Sequence, residues 1–266
     1  MLFSELNPNQ YHLIPLDENI LRFPLINAVI SGVQQGKVFT NQFGEVFVIH
    51  KSGFSLFVAN KDPGNVNGFV SFIESSNDIP QYFHIYDPPQ LIVDLISRRK
   101  DLFNVRLRKR IQLRANQSLS LENCQEKILD KNFTIGLVDQ SNYDSLDELD
   151  IDIENKFWSS RKDFLKNGIG VCIQNAEKKT VSLCYSACVV DNVAEIDIIT
   201  HPDYRKSGFG QFVTQEFVKL AQERKITPNW DCFEDNDASI ATALKNHFVI
   251  TYKYQFISVL NKKSEL

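Results

Sequence analysis

The run from Ala194 to Gly210, AEIDIITHPDYRKSGFG, joins a β-rich segment to a glycine-containing turn that leads into a predicted helix. Backbone N–H groups at a helix start lack intrahelical partners and lie at the positive end of the helix dipole, so they can bind a phosphate. Gly208 and Gly210 leave room beside those groups, and Arg205 and Lys206 add positive charge. The pattern indicates an anion site, with an ordinary strand-to-helix turn as the alternative.

Two other phosphate-binding motifs do not match this turn. The dinucleotide fingerprint G-x-G-x-x-G would need a glycine where the chain has Val213, and the chain has no Walker G-K-[ST]. We therefore expect neither Rossmann redox chemistry nor nucleotide hydrolysis.

The turn resembles a known motif. R-x-x-G-x-G after a strand ending in T-H-P-D-Y is similar to the acetyl-CoA-binding motif of the GNAT superfamily of N-acetyltransferases. A later run, PNWDC at 228–232 followed by Asn236 and Ser239, resembles the P-x-W-D-C…N-x-x-S pattern of a bacterial GNAT branch that includes zwittermicin A resistance proteins. The resemblance covers residues 130–266.

The resemblance implies acetyl-CoA as cosubstrate, bound where one strand splays from its neighbour. Backbone groups of Ile198 and Thr200 would pair with the pantetheine arm. The pyrophosphate would lie on the backbone N–H groups of Arg205, Lys206, Ser207, Gly208, Phe209 and Gly210. Asn236 and Ser239 would face the pantetheine or the reacting centre, although Asn236 also suits a helix N-cap.

Acetyl transfer needs a base that takes a proton from an ammonium. Many GNAT enzymes place a glutamate on this strand, and by that resemblance Glu195 is the leading candidate, with Asp197 second. The two residues lie two positions apart on a predicted strand, so they share a face. The alternative is that this face is solvated and neither carboxylate acts.

The last predicted helix departs from the family pattern. Many GNAT members carry Y-x-K-x-G-F, in which the tyrosine protonates the departing thiolate; the matching positions are Ala243, Lys245, His247 and Phe248. Three alternatives follow from the missing tyrosine. Tyr252 or Tyr254 on the final strand protonates the thiolate in its place, water protonates the thiolate, or acetyl transfer is impaired. We interpret His247 as a helix-end residue interacting with the dipole.

Two charged segments have both functional and structural interpretations. Residues 139–154 hold seven acids and no Lys or Arg, which suits a wall for a cationic amine acceptor, or a solvated loop and helix start. The segment from Phe103 to Ala115 alternates apolar residues with arginines. It predicts a strand whose basic face is either an anion or nucleic-acid platform or, as we favour, a solvated sheet face or an edge guarded against aggregation by its charge.

Periodicity and turn residues predict the other elements. We expect a helix over 21–35, an antiparallel meander of three strands over 37–59, a helix over 66–73, a strand over 82–86 and a helix from 88 to about 97. Beyond residue 132 we expect strands at 133–139, 168–174, 180–190, 194–200, near 230 and at 249–259. Helices are expected at 157–166, 207–223 and 236–247. This order predicts a mixed α/β sheet.

Length and composition set the remaining bounds. The 266 residues suggest two domains, which we divide as 1–120 and 121–266. The first matches no motif; it is compatible with a degenerate copy of the second, a lid, a dimer surface or a specificity module. A net charge of −4 provides no general attraction for nucleic acid or membranes. Five cysteines without C-x-x-C, and no apolar leader, favour the cytoplasm.

We therefore expect an N-acetyltransferase that moves an acetyl group from acetyl-CoA to a primary amine of a small molecule by direct attack. A non-catalytic acyl-CoA-binding or interaction module of the same fold is the alternative. We expect no bound metal, because no His, Cys or carboxylate cluster has ligand spacing. We expect neither a nucleic-acid nor a membrane partner, and a homodimer is left open.

Overall fold

The computed structural model describes residues 3–59, 66–115 and 130–262, which form two compact units. Unit 1 comprises Met1–Arg110 with Tyr254–Leu266, and unit 2 comprises Ile111–Lys253. Strands β6 (Phe103–Ala115) and β12 (Phe248–Asn261) each contribute residues to both units. The domain boundary expected at residue 120 lies outside the described residues.

Unit 1 is a mixed sheet packed against helices. Its strands are β1 (Ser4–Glu5), β2 (Gly36–Thr40), β3 (Val46–His50), β4 (Phe54–Val58) and β5 (Tyr82–Tyr86). Its helices are α1 (Glu18–Arg22), α2 (Pro24–Ile30), α3 (Val66–Ser75) and α4 (Gln90–Arg98). The expected meander β2-β3-β4 is antiparallel, β5 is parallel to β4, and β12 follows β5. Phenylalanines of the sheet and of α3 dominate the core, because aromatic rings bury large apolar areas.

Unit 2 is also a mixed sheet. Its strands are β7 (Phe133–Leu137), β8 (Gly170–Asn175), β9 (Thr180–Val190), β10 (Val193–Thr200) and β11 (Thr227–Phe233). Its helices are α5 (Ile153–Lys156), α6 (Arg161–Asn167), α7 (Phe209–Glu223) and α8 (Asp237–Lys245). Strands β7 to β10 pair antiparallel in sequence order, and β11 lies parallel to β10. The apolar stripe of α7 packs on this sheet.

The two units have the same order of elements. Each runs through one strand, two short helices, three strands paired antiparallel, a helix, a strand parallel to the third of these, a second helix and a final long strand. The expected mixed α/β architecture is therefore present in both.

Two predicted helices have the wrong bounds. The helix expected over 21–35 is divided, because Phe23 is extended (φ −111°, ψ 95°) and Pro24, which lacks an N–H group, begins the second part. That part ends at Ile30, before Gly32 turns left-handed at φ +68°. The helix expected at 157–166 begins only at Arg161, after Ser160 accepts a cap hydrogen bond from the Asp163 N–H.

Strand β6, which contains the alternating arginines, has the predicted bounds, but the predicted alternation of apolar and basic faces is wrong in the middle of the strand. Leu107, placed on the apolar side, is 52% exposed, whereas Arg108 and Arg110 are half-buried. The guanidinium of Arg110 lies 5.0 Å above the ring of Phe256, an arrangement that lets a cation be half-buried on an aromatic face. Within the described ranges, no helix is both long and apolar enough to cross a membrane.

Candidate active site

Strands β10 and β11 pair over only part of their length. Their parallel register runs from Val193 opposite Thr227 to Ile196 opposite Trp230, and among the described residues it extends no further. Both strands continue, to Thr200 and Phe233 respectively. The register of β10 against β9 also shifts between Glu195 and Ile196, where the pairing skips Ala187 of β9. The second half of β10 is thus open on the side of β11.

Side chains hold two backbone groups in this open half. The Ile198 N–H donates to Oδ1 of Asp197 at 2.9 Å. The Thr200 carbonyl oxygen accepts from Nε of Arg205 at 3.2 Å. These are the residues whose backbone we expect to meet the pantetheine arm, and a ligand that paired there would have to displace both side chains.

Glu195 is a buried carboxylate, 8% exposed, on the face of β10 that is opposite to α7. Its Oε2 accepts a hydrogen bond of 2.6 Å from Nδ2 of Asn229, which the parallel register places directly opposite. Cys188 pairs with Glu195 on the other side. Burial, and then the charge of Glu195, raises the pKa of the Cys188 thiol well above its usual range, so Cys188 stays neutral.

Asp197 lies on the same face and is more exposed. Its Oδ2 accepts from the hydroxyl of Tyr185 at 3.0 Å and lies 3.6 Å from Nζ of Lys156. Burial, followed by the neighbouring Asp197, raises the pKa of Tyr185 well above its ordinary value. The face therefore presents two carboxylates in different surroundings, one buried against an amide and one open to solvent.

The glycine turn lies at the mouth of this opening. Gly208 is left-handed (φ +86°), a conformation that favours glycine, and it is the N-cap of α7. A Cβ on Gly210 would lie 3.5 Å from Oγ1 of Thr200, so the first turn of α7 packs beside the open half of β10. Lys206 is also left-handed (φ +66°). The turn thus presents uncapped helix N–H groups next to two cations.

Asn236 and Ser239 anchor the start of α8. The Oδ1 of Asn236 accepts from the Ser239 N–H at 3.1 Å, which is an N-cap. The Oγ of Ser239 accepts from the indole Nε1 of Trp230 at 3.0 Å. The P-x-W-D-C…N-x-x-S pattern therefore contains residues that fix α8 against β11.

The structure explains the family departure at the end of α8. Ala243, at the position of the family tyrosine, is fully buried in the core of unit 2. His247, at the position of the family glycine, adopts φ +60°, a left-handed conformation in which glycine is favoured. Tyr252 is half-buried on β12. Tyr254, the other tyrosine considered, is buried in unit 1, with its ring 5.2 Å from that of Phe23.

Basic residues outside the acidic segment contact part of it. Asp144 pairs with Arg161 at 2.5 Å, and Glu148 pairs with Lys179 at 3.7 Å. Asp139 accepts from the backbone and the hydroxyl of Ser141, and these hydrogen bonds lower the pKa of its carboxyl. Arg161 and Lys179 thus offset the charges of two acids of the segment, whereas Asp139 stays ionised.

Metal chemistry has no visible site in the described ranges, where no group of three or more His, Cys, Asp or Glu side chains is arranged to hold an ion. The four described cysteines are free and buried: Cys172, Cys184, Cys188 and Cys232.

Sequence reasoning missed three residues of this site. Asn229 was noted within the PNWDC run but was given no role. Tyr185 and Lys156, which contact Asp197, were not considered. Only the parallel register of β11 could have indicated Asn229, and strand register across a helical crossover is not readable from local periodicity.

A splayed parallel pair with a glycine turn at its mouth, on a mixed sheet, defines the GNAT class of acyltransferase folds. The family model described as GNAT acetyltransferase matches residues 18–257, so the chain belongs to this family. The match extends through both units.

Known relatives agree with this assignment. The uncharacterized N-acetyltransferase YdfB of Bacillus subtilis (strain 168) is 34% identical over 99 residues, which cover 37% of this chain and 38% of the relative. A GCN5-related N-acetyltransferase-like protein from Streptococcus suis has a TM-score of 0.69 at 20% identity, covering 86% of this chain and 90% of its own. A tandem GNAT protein from the clavulanic acid biosynthesis pathway has a TM-score of 0.62 at 8% identity, covering 96% and 97%. These two structures share the fold.

Proposed function

We propose that the protein is an N-acetyltransferase that moves the acetyl group of acetyl-CoA to a primary amine of a small molecule. The observation that carries this proposal is the opening between β10 and β11, which has a buried carboxylate at its base and the cationic glycine turn at its mouth. A thioester carbonyl held in the opening would lie near Glu195.

The glycine turn would recognise acetyl-CoA by binding its pyrophosphate. Uncapped N–H groups of α7, together with Arg205 and Lys206, suit a pyrophosphate. Backbone groups of Ile198 and Thr200 would replace their contacts with Asp197 and Arg205 by contacts with the pantetheine arm. Asn236 and Ser239 border this region through their contacts on α8 and β11.

Glu195 is the proposed base. It takes a proton from the acceptor ammonium, the free amine attacks the thioester carbonyl carbon, and the C–S bond breaks to release the thiolate of CoA. Asp197, with its larger exposure, would attract the cationic acceptor from solvent. Tyr252 remains the proposed proton donor to the thiolate.

A non-catalytic acyl-CoA-binding module is the second candidate. Ala243 favours it, because the family's usual acid is replaced by a buried methyl group. This candidate predicts binding of acetyl-CoA without transfer to any amine.

Calorimetry with acetyl-CoA, followed by thiol release across a panel of primary amines, tests the proposal. We expect binding and turnover of at least one amine; binding alone would support the module, and no binding would refute both candidates. Glu195→Gln should retain binding and lose about 100- to 10,000-fold in kcat/KM. The control Glu177→Gln, at an exposed turn, should behave as the parent protein.

Unit 1 is proposed to be a degenerate copy of unit 2. The two share their order of elements, and the solved tandem GNAT protein has a similar fold over 96% of this chain. At the third pair of its parallel strands, unit 1 has Leu56 opposite Tyr86, where unit 2 has Glu195 opposite Asn229. Unit 1 therefore lacks the carboxylate at that position.

We extend the proposal to the family branch of the protein and to its location in the cell. The PNWDC run and the residues that follow it support membership of the bacterial branch with zwittermicin A resistance proteins. Buried free thiols suit the reducing cytoplasm. No nucleic-acid or membrane partner is proposed, and self-association as a homodimer would be tested by sedimentation.

A further inference from the structure

Asn229 lies where the paired and open parts of β10 and β11 meet. It occupies the next-to-last pair of the parallel register, opposite Glu195, and its side chain is fully buried. The hydrogen bond from its Nδ2 to Oε2 of Glu195 measures 2.6 Å. The contact joins residues 34 positions apart in the chain.

The side-chain amide of Asn229 lowers the stability of the fold at this buried position. Its Oδ1 is buried and accepts no hydrogen bond from the described residues. An unpaired buried polar atom destabilises a fold, and a leucine of similar size would avoid that cost. The sequence nevertheless places an amide here, between the buried residues Pro228 and Trp230. A role in stability alone therefore explains Asn229 poorly.

The amide donor acts on the charged form of Glu195. Burial disfavours a carboxylate, whereas a hydrogen bond donated to it favours the charge and fixes its orientation. Titratable groups near Glu195 include Cys188, which stays neutral, and Asp197 two residues along the strand. Asp197 in turn contacts Lys156 and Tyr185. The hydrogen bond from Asn229, by contrast, is a direct contact with the Glu195 carboxylate itself.

We propose that Asn229 is a positioning residue, which keeps the buried Glu195 carboxylate charged and aimed so that it can take a proton from the acceptor amine. This inference rests on the proposed function, because it assumes that Glu195 is the base. Asn229 itself need touch neither substrate.

The test measures Glu195 directly, in the whole protein. Carbon-13 NMR of labelled glutamate side chains, with the Glu195 signal assigned through Glu195→Gln, follows its titration in the parent protein and in Asn229→Leu. We expect the pKa of Glu195 to be higher in Asn229→Leu by about one unit or more, because the donor to the charged form is lost while burial remains. Asn246→Leu is the matched control: Asn246 is also buried and donates Nδ2 to the Thr242 carbonyl at 3.0 Å.

A second measurement connects the titration to catalysis. The acid limb of the kcat/KM profile, measured by thiol release with an amine found in the panel, should move upward with the pKa in Asn229→Leu and stay in place in Asn246→Leu. An unchanged Glu195 titration in a folded Asn229→Leu, or a moved titration with an unmoved acid limb, would overturn the inference. A moved titration without turnover of any amine by the parent protein would support the Asn229–Glu195 pairing and count against the proposed function.

Should Asn229→Leu fail to fold, Asn229→Asp takes its place, because it has the same shape. A second carboxylate against Glu195 makes the pair share one proton, so the apparent pKa of the pair rises. The same two measurements then apply, and an unmoved titration would again refute the inference.

Discussion

Gly208 provides the sharpest test of the anion site, through a pair of variants that differ by one charge. Because Gly208 has φ +86°, any other residue is strained there, and a loss of binding in a single variant would be ambiguous. Gly208→Glu and Gly208→Gln have the same shape and the same backbone strain, about 1 kcal/mol. The nearest atom to a new Cβ is Cε2 of Phe212 at 3.9 Å, so both side chains have room.

The expected difference follows from Coulomb's law. Two unit charges 4 Å apart interact with about 1 kcal/mol in water and about 4 kcal/mol near a protein surface. A carboxylate at the start of α7 would face a pyrophosphate bound to the same N–H groups. A repulsion of about 2 kcal/mol lies between these limits, and it weakens acetyl-CoA binding about 30-fold in Gly208→Glu relative to Gly208→Gln.

Calorimetry with acetyl-CoA measures the two dissociation constants, and circular dichroism verifies that both variants are folded. The ratio should shrink when the salt is raised to about 0.5 M, because the repulsion is screened. Equal affinities of two folded variants at low salt would show that no phosphate group binds at this turn.

Three further predictions concern stability. Ser239→Ala should lower it by about 1–3 kcal/mol, because the buried indole N–H of Trp230 loses its acceptor. His247→Gly should raise it by about 1 kcal/mol, because a left-handed residue is relieved of strain. Burial lowers the pKa of His50 to about 3, so the folded protein binds fewer protons than the unfolded chain below pH 6.5. His50 should therefore contribute a fall in stability of about 1.4 kcal/mol per pH unit as pH drops from 6.5 towards 3, and His50→Gln should remove that contribution.

Urea unfolding measures all three effects. Thr242→Ala, which removes a hydroxyl on the exposed side of α8, serves as the control for Ser239→Ala. An unchanged midpoint in Ser239→Ala would contradict the Trp230 contact, and a destabilised His247→Gly would contradict the strain argument. Parallel pH profiles of the parent protein and His50→Gln would show that His50 titrates normally.

The sequence was informative wherever the deciding interactions are local. The strand, glycine turn and helix from Val193 to Glu223 have nearly the predicted bounds, since side-chain alternation and glycine content act over neighbouring residues. The prediction of one helix over 21–35 was wrong, because it gave the apolar periodicity more weight than Pro24, a local signal for the start of a new helix. The predicted alternation of β6 was wrong at Leu107, because the exposure of that side chain depends on what packs against the sheet.

By itself, the sequence determined the element types, the cationic glycine turn and two candidate carboxylates, because residue type and short spacing carry that information. Only the tertiary structure decided that Asn229 meets Glu195, and that the pairing of β10 with β11 stops one pair later. Parallel neighbours are joined through a helix, so their register depends on how α7 packs on the sheet rather than on any pattern within either strand. The sequence alone thus identified Glu195 as a candidate base, whereas only the tertiary structure identified its buried partner Asn229.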